Sequence, residues 1–170
     1  MEVGFATVDH EGAHRLVETQ HVGSLAALPS EHSALLNGPV SVVLASRNPN
    51  GSSHLSPIRL GRDELYLYVA ANRGQLVDRN LRARPDVSFL LVDPADPYRW
   101  MDVSAHAEPV LDDGDGRDAG HSELIDQFGL STPWHSPDGS SGNGVCDGSH
   151  TVYRARPDRL TVFEKSRPGL

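Results

Sequence analysis

Between Val40 and Val110 the chain is cut into short apolar stretches by turn-forming residues, and no stretch is longer than a strand. Val40 to Arg47 is β-branched and apolar. Asn48-Pro49-Asn50-Gly51 follows, where Asn-Gly supplies the positive φ of a tight turn. Ser53 to Leu60 alternates and returns as the hairpin partner. Gly61-Arg62-Asp63 marks a second turn and Glu64 to Ala70 a third strand, so a three-stranded meander is expected. The period then changes. Leu76, Val77 and Leu81 fall at helical spacing between Gly74 and Arg82, and Pro85 ends that helix. Val87 to Val92 is strand again, and Asp93 to Pro97 is a loop with two prolines. Arg99 to Val110 alternates, with Trp100, Asp102, Ser104, His106 and Glu108 on one side and Met101, Val103, Ala105 and Ala107 on the other. Thr151 to Ala155 and Leu160 to Phe163 read as two strands around the turn Arg156-Pro157-Asp158-Arg159. Antiparallel strands in this number must close or stack to hide their edges. The expected fold is therefore mainly β, a β-barrel with short helices.

The flanks of this pattern are less regular. Residues 1–28 read as an N-terminal extension, in which Phe5 to Gly12 is a strand and turn or Asp9 caps a short helix through Thr19. Leu28 to Gly38 is a short helix, begun at Pro29 or Ser30 and stopped by Asn37-Gly38. Arg117 to Phe128 is a second helical stretch, and residues 131–149 are a flexible loop of Gly, Ser, Pro and Asp, either disordered or gating a ligand. Residues 29–170 then form one domain, a size that buries a core without staples.

Charge narrows the function. A formal net charge of −8 argues against a general nucleic-acid binder. Arg59, Arg62, Arg73, Arg79, Arg82 and Arg84 nevertheless cluster against Asp63, Glu64 and Asp78, and this stretch suits an anionic ligand. Lys165 is the sole lysine, so arginine does nearly all the cationic work. Cys146 is the sole cysteine, which excludes an intrachain disulfide and a Cys-based zinc site. No apolar run is long enough to span a bilayer and no signal sequence is visible, so a cytoplasmic protein without membrane contact is expected.

Four stretches carry a family resemblance: Ser53-His-Leu-Ser-Pro-Ile; Glu64-Leu-Tyr-Leu-Tyr-Val; Arg79-Asn-Leu-Arg-Ala-Arg-Pro-Asp-Val-Ser-Phe-Leu-Leu-Val-Asp-Pro; and Asp96-Pro-Tyr-Arg-Trp-Met-Asp-Val-Ser-Ala. In this order they resemble the flavin- and deazaflavin-dependent oxidoreductases of the pyridoxamine 5′-phosphate oxidase-like FMN-binding split barrel, in particular the branch that uses coenzyme F420. The likeness runs over about residues 31 to 128. It implies hydride transfer between reduced F420 and an organic acceptor, with an FMN-binding oxidase or reductase, or a non-catalytic barrel for a planar ligand or partner, as alternatives. It also implies a homodimer with cofactor clefts at the barrel interface. Ser56, Pro57, Ile58 and Arg59 on one strand, and Ala71, Asn72, Arg73, Gly74 and Gln75 at the turn into the helix, would hold the cofactor, joined by Asn80. Pro97, Tyr98 and Trp100 would reach it from the partner subunit. Two positions depart from the family: Val77 takes the place of a phosphate-contacting lysine, and Arg59 that of a bulky aromatic. Arg59 or Arg73 would then carry that charge, for which a guanidinium fork is well shaped.

The residues also have readings apart from the family. A helix beginning at Gly74 offers free N–H groups and partial positive charge to a phosphate, and otherwise it is a plain strand-to-helix turn with solvated arginines. His54 is either a proton donor or an ordinary strand residue. His10 and His14 flank Glu11 without a metal-ligand spacing, and no metal is expected. Ser140-Ser141-Gly142 is linker chemistry rather than a nucleophile elbow, and no catalytic side chain stands out. Trp100 is read as barrel-wall packing, while Trp134 sits at the mouth of the flexible loop.

Overall fold

The computed structural model describes residues 14–21, 25, 30–37, 41–110, 127 and 150–165. The strands are β1 (His14–His21), β2 (Ser41–Arg47), β3 (Ser53–Ile58), β4 (Gly61–Arg62), β5 (Leu67–Asn72), β6 (Asp86–Val92), β7 (Trp100–Pro109) and β8 (His150–Lys165). Two short helices accompany them, α1 (Ser30–Asn37) and α2 (Leu76–Ala83). The helix read over residues 117–128 (Gln127 apart), the loop 131–149, Trp134 and Cys146 lie outside the described residues.

All eight strands join one antiparallel sheet in the order β3-β2-β6-β7-β8-β5-β4, with β1 added to β8. The two ends of that path are chain neighbours, because only Arg59 and Leu60 separate β3 from β4. Three Cα steps span at most about 11 Å. The sheet must therefore curl until its edges meet, and the mainly β, barrel-like architecture expected from the sequence is the one observed.

The core fills the inside of the curl. Along β7, Met101, Val103, Ala105 and Ala107 are buried while Trp100, Asp102, Ser104, His106 and Glu108 are not, as the alternation required. Val42 and Leu44 of β2, Val87, Phe89 and Leu91 of β6, Leu67 and Val69 of β5, and Leu160 and Val162 of β8 complete the apolar interior. Leu35 of α1 and Leu81 of α2 plug it.

Three expectations need correction. The first is the meander. β3 pairs with β2, but the next strand does not pair with β3 and crosses to β8. Gly61 and Arg62, read as a turn, are a short strand opposite Tyr68 and Leu67. The turn falls at Asp63 to Tyr66, because the Asp63 carboxylate accepts the N–H groups of Leu65 and Tyr66, both at 2.7 Å. A local side-chain acceptor has taken donors that a strand beginning at Glu64 would have needed. Burial raises the Asp63 pKa, but the Tyr68 hydroxyl and those two N–H groups outweigh it and hold the carboxyl below its ordinary value. The same contact and burial push the Tyr68 phenol up to about 12.

The second correction concerns the end of the chain. The two strands expected around Arg156 to Arg159 are one continuous strand, β8. Ala105 faces Pro157 and Ser104 faces Arg159, so Asp158 is an unpaired bulge residue. Proline has no N–H for the ladder and is tolerated in a sheet interior mainly at bulges. The turn-like composition of this segment marks that bulge. The third correction is at the N-terminal side. His14 to Thr19 are not helical; they belong to β1, antiparallel to β8. The strand and turn read at residues 5–12 lie outside the described residues.

The bulge gives a sharp test. Deleting Asp158 would leave Pro157 opposite Ala105, Arg159 opposite Ser104 and Leu160 opposite Val103, so Leu160 and Val162 stay on the core face and only the bend of the bulge is lost. The deletion is expected to keep a cooperative transition at a stability lowered by about 1–3 kcal/mol, whereas Asp158→Ala, at an exposed position, changes stability by no more than about 0.5 kcal/mol in urea titrations.

Candidate functional site

Helix α2 lies across the sheet and packs on β2, β5 and β7. Its sequence explains how. Leu81 is buried and Val77 packs against the core, while Leu76, Arg79 and Arg82 stay exposed. Two polar residues, Asp78 and Asn80, are also buried, so each must find partners.

Asn80 finds them on β2 and the following turn. Its Nδ2 donates to Ser46 Oγ at 3.2 Å and to Asn48 Oδ1 at 3.0 Å. Ser46 is opposite His54 in the β2–β3 register, and His54 Nε2 is 2.9 Å from Ser56 Oγ. Asn48, Asn80, Ser46, His54 and Ser56 thus form a continuous polar wall beside α2. Ser56 is followed by Pro57, which has no N–H. The oxyanion donor that follows the serine in strand-turn-helix hydrolases is therefore missing. The Ser56–His54 pair is therefore a hydroxyl–imidazole contact without the surroundings of an acyl-attacking serine.

Asp78 is the other buried polar residue, with its side chain 3% exposed. Its carboxylate accepts the Tyr153 hydroxyl at 2.6 Å, the Gly74 N–H at 2.8 Å and Arg82 Nε at 3.1 and 3.2 Å. The Thr151 hydroxyl adds a further hydrogen bond, and Arg82 Nη2 donates to Thr151 Oγ1 at 3.0 Å. Burial works to raise the Asp78 pKa. The donors from Tyr153, Gly74, Arg82 and Thr151 outweigh it and keep the group ionised below its ordinary range. The Tyr153 phenol is pushed up by burial and by the carboxylate it bonds. The helix itself starts without a side-chain cap, since Gln75 is extended and makes no capping bond. The first N–H groups of a helix have no partner within it. Those of Leu76 and Val77 are the first two of α2, three and four residues after Arg73.

The sequence profile of the pyridoxamine 5′-phosphate oxidase family matches residues 28–161. The chain belongs to this family. Solved structures agree on the fold. An F420 reductase is 23% identical with a TM-score of 0.60, over 78% of this chain and 98% of its own. An FAD-binding protein from Mesorhizobium loti is 19% identical, and the heme storage protein HutZ from Vibrio cholerae 18%. Each has a TM-score of 0.59, over 82% of this chain and 96% of its own. No curated protein matches. The split barrel expected from the resemblance is therefore shown, in a family whose solved relatives include flavin- and heme-related proteins.

Within the split barrel the expected cofactor residues fall into three groups. Ser56 and Ile58 are half-buried on the inner side of β3, with Pro57 and Arg59 exposed. Ala71 is buried in the core, and Asn72, Arg73, Gly74 and Gln75 form the exposed entry to α2, with Gly74 at φ +75°. Asn80, one and a half turns along, joins the β2 wall, so α2 links the first two groups. The third group is elsewhere. Trp100 pairs with Val92 at the end of β6 away from α2, a distance of roughly 20 Å along the strand. There Trp100 stacks on Phe163 with ring centroids 3.7 Å apart, the wall packing read from the sequence. Pro97 and Tyr98 are exposed on the adjoining loop, fixed by Asp93 and Asp96. One chain does not bring this group to α2. Among the described residues no cluster of three His, Cys, Asp or Glu is placed to hold a metal, and no helix is long and apolar enough to cross a membrane.

Sequence reasoning missed Asp78, Tyr153, Ser46 and Thr151. The one available signal was the acid three residues after the N-cap, the spacing of a reciprocal capping contact.

Asp78 yields a prediction whose sign follows from its depressed pKa. Its contribution to stability is fully present above the unfolded value and is lost as pH falls through and below it. Asp78→Asn is expected to cost about 3 kcal/mol at neutral pH. The difference from the parent should shrink between about pH 5 and pH 2. Chemical denaturation across that pH series measures it, and a difference independent of pH would refute the assignment.

Proposed function

We propose that the protein is a cytoplasmic oxidoreductase that binds a phosphorylated flavin-type cofactor and transfers a hydride between reduced F420 and an organic acceptor. The observation that carries this reading is the uncapped amino end of α2 beside Arg73, joined through Asn80 to the polar wall that ends at Ser56. Open helix N–H groups and a guanidinium suit a phosphate. A half-buried wall of hydroxyl, amide and imidazole groups suits the edge of a heteroaromatic ring. Arg59 and Arg73 lie toward opposite ends of β5. Gly61, two residues after Arg59, pairs with Tyr68, and from there to Asn72 is roughly 13 Å along the strand. A ligand meeting both arginines is therefore elongated, as a ring carrying a phosphorylated side chain is.

When bound, such a cofactor supplies the hydride. The chain's own residues would bind and orient it: Arg73, Gly74 and Gln75 at the phosphate end, Ser56, Ile58 and Arg59 along the ring. His54 and Ser56 would hold a proton at the Ser56 hydroxyl. FMN in the same place, serving an oxidase or reductase, is the second reading, supported by the family to which the chain belongs. Val77 supports a third, a barrel that binds a planar ligand without catalysis. It packs on the core and brings no charge to the phosphate end.

A homodimer completes the proposal. Outside the curl, Leu55 is 64% exposed and Leu90 38%, with Pro57, Val43 and Ala45 in register between them. This apolar face is what a second copy would cover, and a partner's Pro97, Tyr98 and Trp100 would then reach the cleft. Asp102 borders it. Burial pushes its carboxyl up against the opposing pull of Arg159.

Two measurements test these proposals. Titration of the purified protein with F420 and with FMN should show binding. Arg59→Ala with Arg73→Ala should weaken it about tenfold or more, and unchanged affinity would place the phosphate elsewhere. Sedimentation of the parent should give a dimer mass, and Leu55→Arg with Leu90→Arg a folded monomer. A parent that sediments as a monomer would end the dimer proposal.

A further inference from the structure

We propose that two copies of this chain stack their outer sheet faces so that Asp102 of each copy pairs with Arg159 of the other. The inference rests on the dimer reading above and supplies what that reading lacks, the contact that fixes how the two faces meet. Two adjacent rows cross the outer face. In the first, Pro57, Val43, Leu90 and Asp102 stand side by side on β3, β2, β6 and β7. In the second, Leu55, Ala45, Ser88 and Ser104 occupy the same four strands, about 7 Å along. Arg159 of β8 extends the second row, and its Nη2 donates to Ser104 Oγ at 3.3 Å. The guanidinium is drawn toward β7 yet leaves Asp102 without a partner. Among the described residues no hydrogen bond or ion pair reaches that half-buried carboxylate, and burial raises its pKa while Arg159 opposes from a distance. A carboxylate that has lost water without gaining a donor is disfavoured in its charged form, and a guanidinium from a second copy would relieve it.

Symmetry selects the arrangement. In a two-fold dimer each contact occurs twice with the roles exchanged. An axis that runs across the strands along the first row would set Asp102 against Asp102. An axis along the second row would set Arg159 against Arg159. Like charges face to face disfavour both. An axis between the rows lays the first row of one copy on the second row of the other. Val43 then meets Ala45, Pro57 meets Leu55, and Asp102 arrives over Ser104, where the other copy's guanidinium is already held. Aligned sheets about 10 Å apart leave room for such a pair between them. The same axis moves Trp100. It stands one row outside Asp102 and is carried over the row of Asp86 and His106, which follows α2 in the chain. That is the end of the sheet at which a single chain lacks it.

Charge reversal decides between this pairing and a pair within one chain. Asp102→Arg or Arg159→Asp, each alone, puts like charges at both contacts of the dimer. Each should raise the dimer dissociation constant about tenfold or more while the chain keeps a cooperative urea transition. Mixed in equal amounts, the two variants should form a heterodimer within about threefold of the parent's affinity, because every arginine of one chain then faces an aspartate of the other. A label on one variant lets sedimentation at its absorbance follow that chain from monomer to dimer as the second is added. A pair within one chain gives no such rescue. A mixture that stays monomeric, or single variants that dimerise as tightly as the parent, overturns the proposal. If the reversed chains do not fold, Asp102→Asn and Arg159→Gln give the same comparison. Their heterodimer keeps one of the two pairs and each homodimer keeps none. The heterodimer should therefore exceed random mixing by about threefold in affinity, and no preference overturns the pairing. A parent that sediments as a monomer would instead refute the dimer reading, and the pairing with it.

Discussion

β8 is the constraint on which the rest of the fold depends. Its 16 residues pair with β7, β5 and β1. Without it, β3-β2-β6-β7 would be one sheet and β5-β4 a separate ribbon. Its middle must therefore follow the curvature of a closing sheet, and the Asp158 bulge opposite Ser104 and Ala105 allows that bend. Pro157 sits where a missing N–H costs the ladder least. Closure then needs only the two residues that join β3 to β4.

On this frame α2 serves as a bridge between two polar systems. One runs from Asn80 through Ser46 to His54 and Ser56. The other runs from Asp78 to Tyr153, Thr151 and Arg82. Each buried polar atom of the helix has partners, and among the described residues no buried side-chain nitrogen or oxygen is left without one. An apolar helix would have closed the barrel equally well. Retaining Asp78 and Asn80 carries desolvation costs that only specific geometry offsets, and that geometry sets the shape of the helix entrance.

Much of the fold could be read from local pattern. The alternation of β7 named its inward residues one by one, and Asn48 to Gly51 marked the hairpin between β2 and β3. Asp63 and Asp158 defeated the same method. Each is an acid in turn-like company, yet one displaces a strand start by capturing two N–H groups and the other stands in a bulge inside a continuous strand. Composition is alike in the two cases; the difference lies in whether a partner strand is present to pair with the flanking residues.

The candidate site divides along the same line. Ser56 to Arg59, Arg73 to Gln75 and Asn80 are candidates from sequence because they sit in local motifs with a family likeness, and the structure places them along and just after β3 and at the entry and middle of α2. Sequence by itself determined the strand-sized apolar periods, the mainly β class and the arginine-rich stretch, since these follow from side chains a few positions apart. Tertiary structure alone decided that β5 pairs with β8 instead of β3, that Tyr153 meets Asp78 across 75 positions, and that Trp100 lies far from α2 in one chain. Those facts depend on contacts between distant segments, and a contact of that kind has no local period to announce it.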